Sequence, residues 1–243
     1  FGQQAAIRTL LTSDNNCTLL VNLPTSCGKS LLTQLQALSA PTNTLTLVIV
    51  PTVALAIEQA DDMQKLLRGA DQDHGGSYVW IGGQDQPSRQ AIKERIKAGT
   101  QRVLFCSPES VRSSLVPLLF ELSRLNMIGA IVIDEAHLID QWGAEFRPDF
   151  QLIAPMIRSL KAMGKCRFRT LLLSATYSKS TRDILVEQFH DENSELIEVS
   201  ANFLRPEPEY FVHHEANENA HRQRVEQLLM TLPRPLILYC TTR

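Results

Sequence analysis

Two short strings in this chain combine the residue types that phosphate chemistry needs. The first is Leu23-Pro24-Thr25-Ser26-Cys27-Gly28-Lys29-Ser30. A bound triphosphate needs backbone N–H donors and a cation, and its magnesium needs an oxygen ligand. Thr25, Ser26, Cys27 and Gly28 supply a loop of N–H groups, Lys29 is the only side-chain cation in the string, and Ser30 carries a hydroxyl for Mg²⁺. The strict phosphate-loop pattern opens on glycine, where this chain has Leu23, so a strand, turn and helix with an incidental Gly-Lys-Ser is the competing reading. The second string is Asp134-Glu135-Ala136-His137, which ends an apolar run. An acid in that place can hold Mg²⁺, the role expected of Asp134. Glu135 is then the group that orients or deprotonates an attacking water. The two strings answer one chemical need, with Lys29, Asp134 and Glu135 as candidate catalytic residues and Ser30 and Asp134 as candidate metal ligands.

These residues must be positioned by regular elements. Short apolar runs at 18–23, 45–50, 78–81, 103–107, 128–134, 170–174 and 196–200 predict strands. Most are apolar on consecutive positions, as parallel strands covered on both faces require. Helical patterns at 30–38, 54–67, 88–98, 111–124 and 181–189 alternate with them. Alternation of this kind predicts an α/β fold, a doubly wound parallel sheet with helices on both faces. Ligands of such sheets bind outside the carboxyl ends of the strands, where both strings fall. The double-proline stretch Arg205-Pro206-Glu207-Pro208 predicts a linker over 201–209. A second unit is expected after it, with a strand at 210–213, a helix at 220–232 and a strand at 236–239.

Composition narrows the setting. The chain of 243 residues is 44% hydrophobic and 21% charged, enough for a buried core. Its net charge of −2 is not that of a protein holding DNA by bulk charge, so any nucleic-acid contact must be local. The five cysteines are scattered with no Cys-x-x-Cys pair, which indicates neither a zinc ribbon nor a disulfide framework. His213, His214 and His221 lack ligand spacing and read as solvated. No apolar run approaches the ~18 residues of a membrane span and no signal peptide opens the chain, so no membrane partner is expected. A reducing cytoplasm fits, with the bacterial cytoplasm or nucleoid the expected location. A start at Phe1 and a stop at Arg243, just after the apolar run 236–239, predict a segment of a longer polypeptide.

The string Asp134–His137 spells DEAH, and it is followed by Gln141-Trp142-Gly143 and Phe146-Arg147-Pro148. This block resembles motif II and the aromatic-rich loop of RecQ-like superfamily-2 DNA helicases. Other segments fall into the family order. Phe1-Gly2-Gln3 resembles the glutamine motif that reads adenine. Pro51-Thr52-Val53-Ala54-Leu55 with Gln59 resembles motif Ia, and Ser107-Pro108-Glu109-Ser110 resembles motif Ib. Ser174-Ala175-Thr176 resembles motif III, and Arg205-Pro206 with 239–243 resembles the opening of the second domain.

The resemblance implies a RecA-like P-loop NTPase domain over 1–200, the linker, and the start of a second RecA-like domain over 210–243. It implies ATP and Mg²⁺ as cofactors, with Gln3 on the adenine. Pro51, Thr52 and Pro108 would line the nucleic-acid path. His137, Trp142, Phe146, Arg147, Ser174 and Thr176 would couple it to hydrolysis. The implied partners are single-stranded DNA, duplex junctions and an arginine finger from the second domain. The chain departs from the family at Ser26 and Cys27, where the family loop is rich in glycine, and at Ser110, where motif Ib usually has arginine. Gly82-Gly83 suits either a close backbone approach to phosphate or a plain turn. Two alternatives stay open: a DEAD/DEAH-box RNA helicase, and a nucleotide-gated DNA-binding subunit of a defence or DNA-modification complex that does not unwind.

Overall fold

The computed structural model describes residues 2–141, 148–164, 166–191, 194–201 and 209–239. It divides into two units, Phe1–Phe203 and Leu204–Arg243.

The first unit is built on seven strands: β1 (Thr18–Asn22), β2 (Leu45–Ile49), β3 (Val79–Trp80), β4 (Val103–Cys106), β5 (Ile128–Ile133), β6 (Arg169–Ser174) and β7 (Leu196–Ser200). All neighbours pair in parallel, in the order β3-β4-β2-β5-β6-β1-β7. The expected doubly wound α/β sheet is therefore present, and each expected strand of this unit is found within a few residues of its predicted ends.

Every residue of β1, β2, β4 and β6 is buried, because helices cover both faces. Alternate side chains of one strand serve opposite cores. Leu45, Leu47 and Ile49 point into one, and Val48 and Val50 into the other. Helices α1 (Gly2–Thr12), α2 (Lys29–Ser39) and α3 (Val53–Gly69) close the second core through Leu10, Leu32, Ala37, Ala60 and Met63. The first core is closed by α4 (Gln86–Lys97), by α5 (Pro108–Ser110) with a π-helical turn over Val111–Leu115 and α6 (Val116–Arg124), by the short α7 (Leu138–Gln141) and α8 (Pro148–Gln151), and by α9 (Ile153–Gly164) and α10 (Lys179–Phe189). Truncating one of its fully buried leucines, such as Leu172, to alanine would cost about 2–5 kcal/mol.

Helix starts are set locally. Thr52, Asp85 and Ser178 each accept a hydrogen bond from a backbone N–H of the first turn of α3, α4 and α10. The single helix expected over 111–124 instead starts at Pro108 and passes through the π turn. Helix α9 was not anticipated, since its pattern is interrupted by Pro155; proline is accommodated there because it lies in the first turn.

In the second unit, α11 (Glu218–Thr231) forms where a helix was expected, capped by Asn217 through the N–H of Ala220. The strands expected at 210–213 and 236–239 are not formed. A helix satisfies its hydrogen bonds within its own segment, whereas a strand needs a neighbour. Neither run has a paired neighbour among the described residues, and Phe211 and Ile237 stay largely exposed. Most of the expected linker, 202–208, lies outside the described residues.

Candidate nucleotide site and nucleic-acid groove

The strand order sorts the motifs along the carboxyl edge of the sheet. The ends of β5, β6 and β1 carry Asp134–His137, Ser174–Thr176 and the phosphate-loop string, side by side. The ends of β3, β4 and β2 carry Gly82-Gly83, the Ser107 segment and the Pro51 segment. The chain leaving β2 turns toward β3 and β4, and the chain leaving β5 turns toward β6. Their loops therefore diverge between β2 and β5, the topological switch where such sheets open a crevice.

At the phosphate-loop string, Leu23 is a core residue, 1% exposed, with its N–H donating to the Ser174 carbonyl at 3.1 Å. That position continues the strand edge, which explains the absence of glycine. The loop then closes with the Cys27 N–H on the Pro24 carbonyl at 3.1 Å. Ser26 takes φ 65° and Gly28 takes φ 84°, both left-handed. Ser26 thus adopts the conformation that glycine reaches without strain, at a cost of about 1–2 kcal/mol. A Cβ on Gly28 would lie 1.9 Å from the side-chain amide nitrogen of Gln3, so Gln3 lies directly against the loop; the left-handed φ is what favours glycine there. Helix α2 begins at Lys29 with no side-chain cap at Gly28; the Leu31 N–H turns back to the Gly28 carbonyl at 3.1 Å, and the N–H groups of Lys29 and Ser30 have no side-chain cap.

Lys29 Nζ donates to Glu135 Oε1 at 3.1 Å across the edge. Glu135 sits at φ 51°, a left-handed geometry uncommon outside glycine and frequent where function holds the backbone. Its N–H donates to Asp134 Oδ1 at 3.0 Å. The other carboxylate oxygen of Asp134 accepts from Gln59 Nε2 at 3.0 Å, a bond that spans the switch between β2 and β5. Burial pushes the Asp134 carboxyl up; the Gln59 hydrogen bond opposes this, Glu135 adds to it and Lys29 opposes it.

His137 Nδ1 lies 3.0 Å from Ser174 Oγ and 3.3 Å from Glu135 Oε2. The Ser174 hydroxyl spends its proton on the Thr176 carbonyl at 2.9 Å, so Nδ1 is the donor of that pair. Burial holds the His137 pKa down, against the pull of Glu135, which favours the neutral ring. Glu135, His137, Ser174 and Thr176 thereby form one connected chain.

On the other half of the edge lies an open groove of about 490 Å³. It is lined by Pro51, Thr52 and Gly82, by the Ser107 segment, and by Arg112. Gly83 has φ 79° and Gly82 has open space around it, which fits a turn that needs glycine at the second position. Pro108 departs from expectation. It is buried as the first residue of α5 and lines a separate apolar cavity of about 130 Å³ with Val111 and Phe120. Phe150, in the aromatic-rich block, is a fully buried core residue on α8. Trp142, Phe146 and Arg147 lie outside the described residues.

A family model for the DEAD/DEAH box helicases matches residues 2–184. The chain belongs to the DEAD/DEAH box helicase family. Over 241 residues it is 28% identical to the ATP-dependent DNA helicase RecQ of Synechocystis sp., a match covering 99% of this chain and 47% of that protein. It is 28% identical over 244 residues to the ATP-dependent DNA helicase Q-like 5 of Arabidopsis thaliana, covering 98% of this chain and 24% of that one. The fold is shared with the crystal structure of the DUF1998 helicase MrfA, at a TM-score of 0.64 and 20% identity over 94% of this chain and 34% of that one. The chain thus spans a quarter to a half of the length of these curated relatives. Among its described residues no helix is long and apolar enough to cross a membrane.

Three features of this DEAD/DEAH box helicase domain escaped the sequence. Gln59 bonds to Asp134, although its motif pointed only to the nucleic-acid path. Gln3 lies against Gly28, and Arg112 reaches the groove. The first two carry no local signal, since each contact joins segments far apart in the chain, and Arg112 stands two residues past the position its motif pointed to.

Proposed function

We propose that this chain is the ATP-binding motor portion of a RecQ-like DNA helicase, with 1–200 as the first RecA-like domain, 201–209 as linker and 210–243 as the opening of the second. The observation that carries the reading is one strand edge with Lys29, Glu135, Asp134 and Gln59 joined at one half and an open groove at the other.

The residues fit a nucleoside triphosphate with magnesium. A loop with left-handed backbone at Ser26 and Gly28 and a helix start with no side-chain cap suit a phosphate. Magnesium takes one or two protein oxygens, with phosphate and water completing its shell, and Ser30 and Asp134 would provide them. The metal would neutralise charge on the phosphate oxygens. Lys29 exchanges its Glu135 partner for phosphate, and Glu135 is released to accept a proton from the attacking water. Gln3 lies beside the loop and would meet the base.

His137, Ser174 and Thr176 carry the state of Glu135 toward β6. Trp142, Phe146 and Arg147 follow closely in the chain and would stack and grip a single strand, so that the strand stimulates hydrolysis. Single-stranded DNA and duplex junctions are the partners on this reading. An arginine from the second motor domain completes the charge stabilisation, and the working compartment is the DNA-containing bacterial cytoplasm.

The test is ATP turnover of the full-length protein with and without single-stranded DNA. Turnover should rise with DNA, and Trp142→Ala should remove most of that rise. DNA binding that responds to nucleotide with no turnover at all would replace the motor reading by that of a gated binder.

A further inference from the structure

The position where motif Ib usually carries its arginine is Ser110 here. Ser110 is buried, with its hydroxyl 3.3 Å from that of Ser107, so it brings no charge to the groove. Among the described residues that line the groove, the one cation is Arg112. Its side chain is 58% exposed. It lies in the π-helical turn Val111–Leu115, where the wider coil shifts side chains from their α-helical directions. It also lines the neighbouring apolar cavity, where it forms an ion pair with Asp149, whose side chain is 10% exposed. A guanidinium has five N–H donors. Apart from this ion pair, the guanidinium has no other ionic partner among the described residues, and its terminal nitrogens keep the fork that matches two phosphate oxygens. Glu109 lines the same groove, so attraction for a phosphate there falls to Arg112.

We propose that Arg112 binds a backbone phosphate of a single DNA strand lying in this groove, and that Asp149 is a positioning residue that sets the plane of its guanidinium. This rests on the helicase reading and names a cation for it that the family pattern does not.

The experiment is fluorescence anisotropy of a labelled oligodeoxythymidylate with the full-length protein across a range of KCl concentrations. For single strands, the logarithm of the binding constant falls with that of salt by about 0.7 per neutralised phosphate. Arg112→Ala should flatten that slope by about 0.7 and weaken binding about 10-fold. Arg112→Lys should restore the slope without restoring full affinity, because it keeps the charge and loses the fork. Asp149→Asn should weaken binding at an unchanged slope. Arg112→Gln, which keeps the side-chain stem, repeats the slope measurement if the alanine variant melts early. An unchanged slope in both neutral variants overturns the assignment of Arg112 alone. A wild-type protein that binds no strand overturns the helicase reading with it.

Discussion

At the ends of β1, β5 and β6 the charged side chains answer one another: Lys29 with Glu135, Asp134 with Gln59, and His137 with Ser174 and Glu135. At the ends of β2, β3 and β4 the groove is made of turns, helix caps and hydroxyls, with Arg112 as its cation. On the function proposed above, the two halves of one edge serve different tasks. Bond cleavage needs dipoles and charges fixed before the reaction, since reorienting them then would raise the barrier. A surface that must take and release a strand repeatedly is better served by few charges, each worth little alone.

The comparison breaks first at Lys29. Lys29→Ala removes the only cation of the phosphate loop, and nucleotide binding should be lost in calorimetry. Affinity equal to wild type would mean that the paired half is not a nucleotide site. Next comes the division of labour between the acids. Glu135→Gln should keep nucleotide and Mg²⁺ binding and cut turnover by about 10²-fold or more, whereas Asp134→Ala should weaken Mg²⁺-dependent binding. Similar binding defects in both would merge the two roles.

Gln59 tests where the halves meet. Gln59→Ala leaves one oxygen of the Asp134 carboxylate without its donor and should weaken Mg²⁺-dependent nucleotide affinity about 10-fold, read by magnesium titration with a fluorescent nucleotide. No change there, with a loss in strand binding, would return Gln59 to the groove.

The smallest effect belongs to a charge cluster remote from both halves. Asp73 accepts from Tyr78 at 2.7 Å and Arg68 at 2.8 Å, and these bonds hold its carboxyl down to about 2 from an ordinary 3.8. The folded pKa lies below the unfolded one. The stabilisation is therefore full above about pH 3.8 and is lost as pH falls toward about 2. Thermal melts should show the wild type losing stability more steeply than Asp73→Asn on acidification through the upper part of that window. Equal slopes would mean that Asp73 titrates normally.

Much of the first unit was legible because its signals are local or periodic. Consecutive apolar positions marked strands buried on both faces. Glycine, lysine and serine after a strand marked the turn into α2, and Asp134 and Glu135 marked the end of β5. The departures at Leu23 and Ser26 became intelligible only in three dimensions, one as a core residue and the other as a left-handed turn. Pro108 read as part of the nucleic-acid path; at the start of α5 it is buried and lines the apolar cavity with Val111 and Phe120.

The sequence by itself determined the order and kind of elements, and which residues could serve a phosphate, because helix periodicity, strand burial and loop chemistry are written in adjacent residues. It did so for α11 and failed for the runs at 210–213 and 236–239, since a helix closes its own hydrogen bonds and a strand does not. Only the tertiary structure decided the strand order. That order places β5 beside β2, lets Gln59 on helix α3 reach Asp134 at the end of β5, and sets Arg112 against Asp149. These pairs are 75 and 37 residues apart in the chain, by 134 − 59 and 149 − 112. At such separations no local pattern specifies a partner; the packing of helices on a parallel sheet does.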